Sequence, residues 1–150
     1  MPYSNFKMSN MPRRVRAATA DISLPPQAGS ETHGHRAGEV LTISFKLSGT
    51  PFSALNGGPH FKFTEAVSFM IDCKDQGEID YYWGKLLKGG GTESRCGWLK
   101  DKFGLSWQVV PVQLKEFLAG SDKEGAKRAM AAMMGMVKLD IAKLREAYEG

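Results

Sequence analysis

Few side chains in this chain combine a reactive type with a spacing that chemistry could use. His33 and His35 form a His-x-His pair, a spacing open to two metal ligands, but Gly34 and Gly38 surround them and no regular element supplies a third ligand. They read as loop residues. His60 and Cys96 are the remaining candidates for acid–base or nucleophilic work. Cys73 and Cys96 match no CxxC pattern and are too few for a disulfide framework, so reduced thiols are expected. Gly89-Gly90-Gly91 is no phosphate cradle, because it follows a helical pattern, whereas phosphate loops precede helices and use their N-termini. The polar residue best placed for binding is Gln108. In the alternating run Leu105 to Val110, Leu105, Trp107 and Val109 share one face, and Ser106, Gln108 and Val110 the other. Its amide either lines a site or sits on a sheet rim.

Placing such an amide takes a sheet, and the sequence supplies the parts. In the run from Val40 to Leu47, Leu41, Ile43, Phe45 and Leu47 alternate with Thr42, Ser44 and Lys46, the period of a half-buried strand. Ser48-Gly49 turns the chain, Pro51 to Asn56 returns as a partner strand, and Asn56-Gly57-Gly58-Pro59 ends it. A strand follows over Ala66 to Asp72, with Val67, Phe69 and Ile71 on a core face and Ala66, Ser68 and Met70 on a face that either lines a cavity or packs under a helix. Asp75 and Glu78 have capping-box spacing, and Ile79, Tyr82, Trp83 and Leu86 make one helical stripe over Asp75 to Lys88. Gly84 interrupts that helix, as if to admit a close neighbour. Arg95 to Leu99 and Leu105 to Val110 then flank the turn Lys100 to Gly104 as a hairpin. From about residue 112 the chain is helical. Ser121 and Glu124 again show capping-box spacing, Met130, Met133, Met134 and Val137 form a stripe suited to core or dimer packing, and Ile141, Leu144 and Tyr148 form another.

Charge and composition exclude several function classes. A chain of 150 residues with 42% apolar and 24% charged residues has the length of one domain and the composition expected of a soluble globular protein; no apolar run is long enough to span a membrane as a helix, and secretion by a signal peptide is not expected. The net charge of +4 is carried by Lys7, Arg13, Arg14 and Arg16 in an opening stretch without an acidic residue; from Asp21 onward 16 basic and 16 acidic residues cancel. The basic balance therefore describes a tail and not a nucleic-acid groove. Residues 1–30 are expected to be a poorly ordered tail, with Pro2, Pro12, Pro25 and Pro26 interrupting any period, and residues 31–150 to be the folded domain.

The motifs FSALNGGPHFKFTEAVSFMIDC, EIDYYWGKL, CGWLKDKFGLSWQVVP and KLDIAKL resemble, in that order, the PhnB-like branch of the vicinal-oxygen-chelate superfamily, a branch often labelled a 3-demethylubiquinone-9 3-methyltransferase domain. The resemblance covers roughly Glu31 to Tyr148. It implies an α+β fold of paired βαβββ modules curling around a cavity, here with the second module complete, the first truncated, and helices at the C-terminal end. Relatives begin with a strand, a helix and a further strand before the segment corresponding to Val40, and residues 1–30 show none of these. In metal-using relatives four side chains, two from each module, hold a divalent ion. The motif Asp-x-x-Gly followed by a Glu ligand is matched by Asp101 and Gly104, with Gln108 at the Glu position; the relatives' His falls at about Ala66, and a first-module position falls near Asn56. A neutral amide is a poor divalent ligand beside carboxylate or imidazole, so no metal is expected. No glycine-rich strand-to-helix turn that could hold a nucleoside cofactor is present, and no cofactor is expected.

The reading that follows is a cytoplasmic, homodimeric small-molecule-binding protein without metal, binding neither nucleic acid nor membrane. Its cavity candidates are Asn56, His60, Phe61, Phe63, Ser68, Cys96, Trp98 and Gln108, with Phe61, Phe63 and Trp98 as apolar walls. The alternative is a superfamily enzyme, metal-assisted or using His60 and Cys96, which rests on analogy with the fold. A methyltransferase of the ubiquinone pathway is the third reading, and no catalytic residue is assigned.

Overall fold

The computed structural model of the chain describes residues 20–23, 40, 42–47 and 49–150. It divides into two compact units, Met1–Lys62 and Phe63–Gly150. The expectations for His33 and His35, and for residues 1–30 except Ala20–Ser23, lie outside the described residues.

In the first unit, β1 (Ala20–Ser23), β2 (Thr42–Leu47) and β3 (Thr50–Leu55) form an antiparallel sheet in the order β1-β2-β3. The hairpin read from the alternation forms in the expected register. Leu47 pairs with Thr50 and Phe45 faces Phe52, their rings stacked with centroids 5.6 Å apart. Gly49, at φ 85°, supplies the left-handed backbone that so short a connection needs. Strand β1 falls in a stretch where the sequence shows no alternating run. Four residues, Ala-Asp-Ile-Ser, are too few to show a period, and their strand is defined by pairing with β2 (Ala20 opposite Phe45).

The second unit opens with β4 (Ser68–Cys73), α1 (Gln76–Leu87), β5 (Thr92–Glu93), β6 (Trp98–Lys100) and β7 (Ser106–Pro111), a βαβββ succession. Its sheet has the order β4-β7-β6-β5, with β4 parallel to β7 and the other pairs antiparallel. The mixed α+β class and the glyoxalase-like module are thus as the resemblance implied. Helix α1 begins where its cap stands: Asp75 Oδ1 accepts the Glu78 N–H at 2.8 Å. The reciprocal arm of the box lands one residue early, Glu78 Oε2 accepting the Lys74 N–H at 3.0 Å. The stripe Ile79, Tyr82, Trp83 and Leu86 is buried against Cys73, Leu99, Trp107 and Val109, with Phe69, Ile71 and Leu105 at its margin. This is the main core, and it lies on one face of the sheet.

Two glycines behave differently from expectation or from each other. A Cβ added to Gly84 would meet nothing within 4 Å, so no neighbour needs the space and the close-approach reading is corrected. A Cβ on Gly91 would lie 2.7 Å from Leu87 Cα and 2.8 Å from Lys100 O, so the end of α1 can press on β6 only without a side chain there.

Helices α2 (Val112–Ala119), α3 (Lys123–Met134) and α4 (Ile141–Glu149) complete the unit around a second cluster of Val110, Leu114, Leu139 and Leu144. The α3 cap is Asp122, accepting the Gly125 N–H at 2.9 Å, one residue after the expected Ser121. Met130, Met134 and Val137 are exposed, while Met133 packs on the second cluster. The stripe is therefore not a core stripe of this chain. The link between α3 and α4 is tied to the module by side-chain and backbone bonds: the Gln76 amide donates to Leu139 O (3.2 Å) and accepts from Ile141 N (3.0 Å). Among the described residues no helix is long and apolar enough to cross a membrane.

Candidate functional site

The hairpin between β6 and β7 decides which side chains reach the free face of the second sheet. Asp101 Oδ1 accepts the N–H groups of Phe103 (2.9 Å) and Leu105 (3.1 Å), and Gly104 N–H returns to Asp101 O at 2.9 Å with φ at 85°. Asp101 Oδ2 accepts the Trp107 indole N–H at 3.0 Å. The Asp-x-x-Gly run thus closes the turn and holds Trp107 on the helix-covered face, where it is 7% exposed and 5.5 Å from the Phe69 ring. Because a strand alternates, Gln108 must point the other way.

On that other face the structure brings together three of the expected residues. Trp98 is the register partner of Gln108 on β6, and the Gln108 amide nitrogen donates to Ser68 Oγ on β4 at 2.9 Å. All three are half-buried. Met70, 52% exposed, is the register partner of Gln108 on β4 and adds an apolar side chain on the side of Gln108 opposite Trp98. Lys100 lies on this face too, in an ion pair with Glu65 whose hydrogen bond, with a backbone bond and the ammonium charge, holds the Glu65 carboxyl below the usual value. Asp72, farther along β4, pairs with Lys115 at 2.7 Å. The sequence reading put Met70 on the face of Ser68 but missed Lys100 and Glu65. Alternation from Trp98 gives Lys100, but nothing local gives Glu65, which is held by an ion pair across 35 residues of chain.

Of the other expected residues, Asn56, His60 and Phe61 belong to the first unit, and Phe63 and Cys96 to the second. Asn56 closes β3 in the first unit, its amide donating to Val40 O at 3.4 Å, and His60 is an exposed residue of the same unit. Phe61 and Phe63 stand 94% and 61% exposed on the segment between β3 and β4, where Gly57, Gly58 and Pro59 have ended the strand. Cys96 is drawn elsewhere. The strand expected from Arg95 starts only at Trp98, because Cys96 takes a left-handed φ of 58° while its N–H and that of Gly97 bond to Met136 O and Val137 O, both at 2.8 Å. Its Sγ lies 3.6 Å from Met134 Sδ. Two depressions of about 560 and 540 Å³ lie away from the sheet face; both include Gln76, one toward Gln113 and Arg145, the other toward Asp80 and Lys138. We place the candidate site on the sheet face, because side chains from three strands converge there.

The residues present do not fit a divalent ion. Gln108 offers a neutral amide oxygen, a poor divalent ligand beside carboxylate or imidazole, Ala66 offers a methyl, and the described residues contain no group of three or more His, Cys, Asp or Glu that could hold a metal.

Comparison with known proteins places this geometry. A family model described as 3-demethylubiquinone-9 3-methyltransferase matches residues 19–110, which takes in β1 through most of β7 and leaves α2 to α4 outside. The match begins earlier than the Glu31 expected from the motifs and ends before the KLDIAKL segment. A PhnB protein from Bacillus cereus, described as a candidate 3-demethylubiquinone-9 3-methyltransferase, is similar at 27% identity and TM-score 0.56 over 73% of this chain and 88% of its own. Protein PA1353 from Pseudomonas aeruginosa is similar at 15% identity and TM-score 0.47, over 62% of this chain and 77% of its own. No curated protein matches the sequence. The description of the family implies a methyl-donor cofactor, and the one strand-to-helix turn of the second unit's βαβββ succession does not fit its anionic group. The β4-to-α1 connection is Lys74-Asp75, and the Asp75 carboxylate itself occupies the helix N-terminus that a cofactor's anionic group would need.

Proposed function

The chain belongs to the PhnB-like family of the vicinal-oxygen-chelate superfamily described as 3-demethylubiquinone-9 3-methyltransferase, and on that premise we propose that it binds a small molecule without a metal ion. The ligand rests on the open face of the β4-β7-β6-β5 sheet. The observation that carries this reading is the 2.9 Å hydrogen bond from Gln108 to Ser68 beside the half-buried Trp98 ring. It orients a polar pair next to an apolar surface, the combination by which small-molecule sites fix and desolvate their ligands. Nucleophilic chemistry by Cys96 has less support, since its thiol is turned to Met134. The protein acts as a homodimer; the exposed Met130, Met134 and Val137 support that, being apolar surface that association would cover.

Native mass spectrometry of freshly purified protein tests the reading. A retained organic molecule, lost when Trp98 and Gln108 are replaced by Ala, is expected, on a chain of dimeric mass. A stoichiometric divalent ion that disappears with Gln108→Ala would refute the metal-free site.

A further inference from the structure

From the charges of the sheet face we infer that the ligand is uncharged and presents one hydrogen-bond donor beside one acceptor, as a carboxamide or lactam edge does. This inference rests on the binding reading above and narrows its ligand class.

Each charged side chain on that face is compensated. Lys100 is paired with Glu65 and Asp72 with Lys115, and the other residues that this face leaves accessible, Ser68, Met70, Thr92, Trp98 and Gln108, are neutral; Ser106 is buried and Val110 lies in the second cluster. A ligand carboxylate or ammonium moved onto this surface would lose water and gain no free counter-charge, which is unfavourable even when hydrogen bonds form. A neutral group escapes that penalty. The hydrogen-bonding capacity is also specified. Ser68 Oγ accepts from the Gln108 amide nitrogen, so its own proton is free to donate outward, while Gln108 Oε1 is free to accept. Donor and acceptor stand side by side, and the Trp98 ring, register partner of Gln108, offers a surface for a flat apolar body.

Three probes of one shape separate charge from everything else: benzamide, benzoate and benzamidinium. Each is titrated into the full-length protein, reading the Trp98 indole and Gln108 side-chain amide resonances by ¹H–¹⁵N NMR. Benzamide should give saturable shifts at both, with benzoate and benzamidinium weaker by about ten-fold or more. Gln108→Glu should reverse the order and make benzamidinium the best of the three, which a merely structural glutamine would not do. Binding of benzoate or benzamidinium to the unsubstituted protein within about three-fold of benzamide would overturn the inference and leave the binding site standing. If none of the three moves either resonance while the fold is intact, the sheet face is no binding site and both readings fall.

Discussion

Replacing Trp107 or its neighbour Gln108 by alanine should have very different consequences, because one turn residue sends the two side chains to opposite faces. Trp107 is 7% exposed, lies 5.5 Å from Phe69 and donates to Asp101 Oδ2 at 3.0 Å. Truncating a buried tryptophan costs about 3–5 kcal/mol through lost burial and the cavity left behind. Losing the indole donor adds on the order of 1 kcal/mol, since Asp101 Oδ2 is left without its partner. A domain typically has only about 5–15 kcal/mol in total, so Trp107→Ala should leave the protein unfolded or nearly so at room temperature. Trp107→Phe keeps most of the ring and loses the hydrogen bond, with an expected cost of about 1–2 kcal/mol. Gln108→Ala should cost less than about 1 kcal/mol, because its side chain is half-buried and water can replace it at Ser68. Urea denaturation followed by circular dichroism orders the three variants, at about 4–8 °C of melting temperature per kcal/mol in a parallel thermal scan. If Gln108→Ala loses as much as Trp107→Ala, the two faces of β7 have been assigned the wrong way round.

The same substitution at two glycines should change stability in opposite directions: Gly84→Ala should stabilise by up to about 1 kcal/mol, since the added methyl meets only open space, while Gly91→Ala should destabilise by colliding with Leu87 and Lys100 backbone atoms. Equal effects of one sign in denaturant titrations would contradict that geometry. Ser106 is 1% exposed, and its hydroxyl has no partner among the described residues, so Ser106→Ala should be neutral or stabilising by about 1 kcal/mol. A clear loss would mean that the hydroxyl is bonded in solution. Asp80 is held below its ordinary value of 3.8 chiefly by the hydrogen bond from Lys138 and then by Gln76. Its contribution is therefore present above that ordinary value and is lost as pH falls through the lowered one. Both groups are well exposed, so the effect is small. Lys138→Met should flatten this part of the acid limb of stability, and an acid limb indistinguishable from the unsubstituted protein would remove the pair from the account.

The sequence by itself determined what depends on near neighbours. Alternation marked β2, β4 and β7 and put Trp107 and Gln108 on opposite faces, and the Asp75 cap and the stripe from Ile79 to Leu86 fixed α1, because pleat, helical period and caps act within a few residues. The ordered motifs carried the family. Tertiary structure alone decided the rest. Only the parallel pairing of β4 with β7 sets Ser68 beside Gln108, 40 residues away in the chain. Only the docking of residues 136–141 on Gln76, Cys96 and Gly97 takes Cys96 out of the strand and away from the site. The Glu65–Lys100 pair that neutralises the open face is likewise a contact between distant segments. Such pairings follow from how whole elements bury their apolar faces together, so no local period or spacing along the chain encodes them.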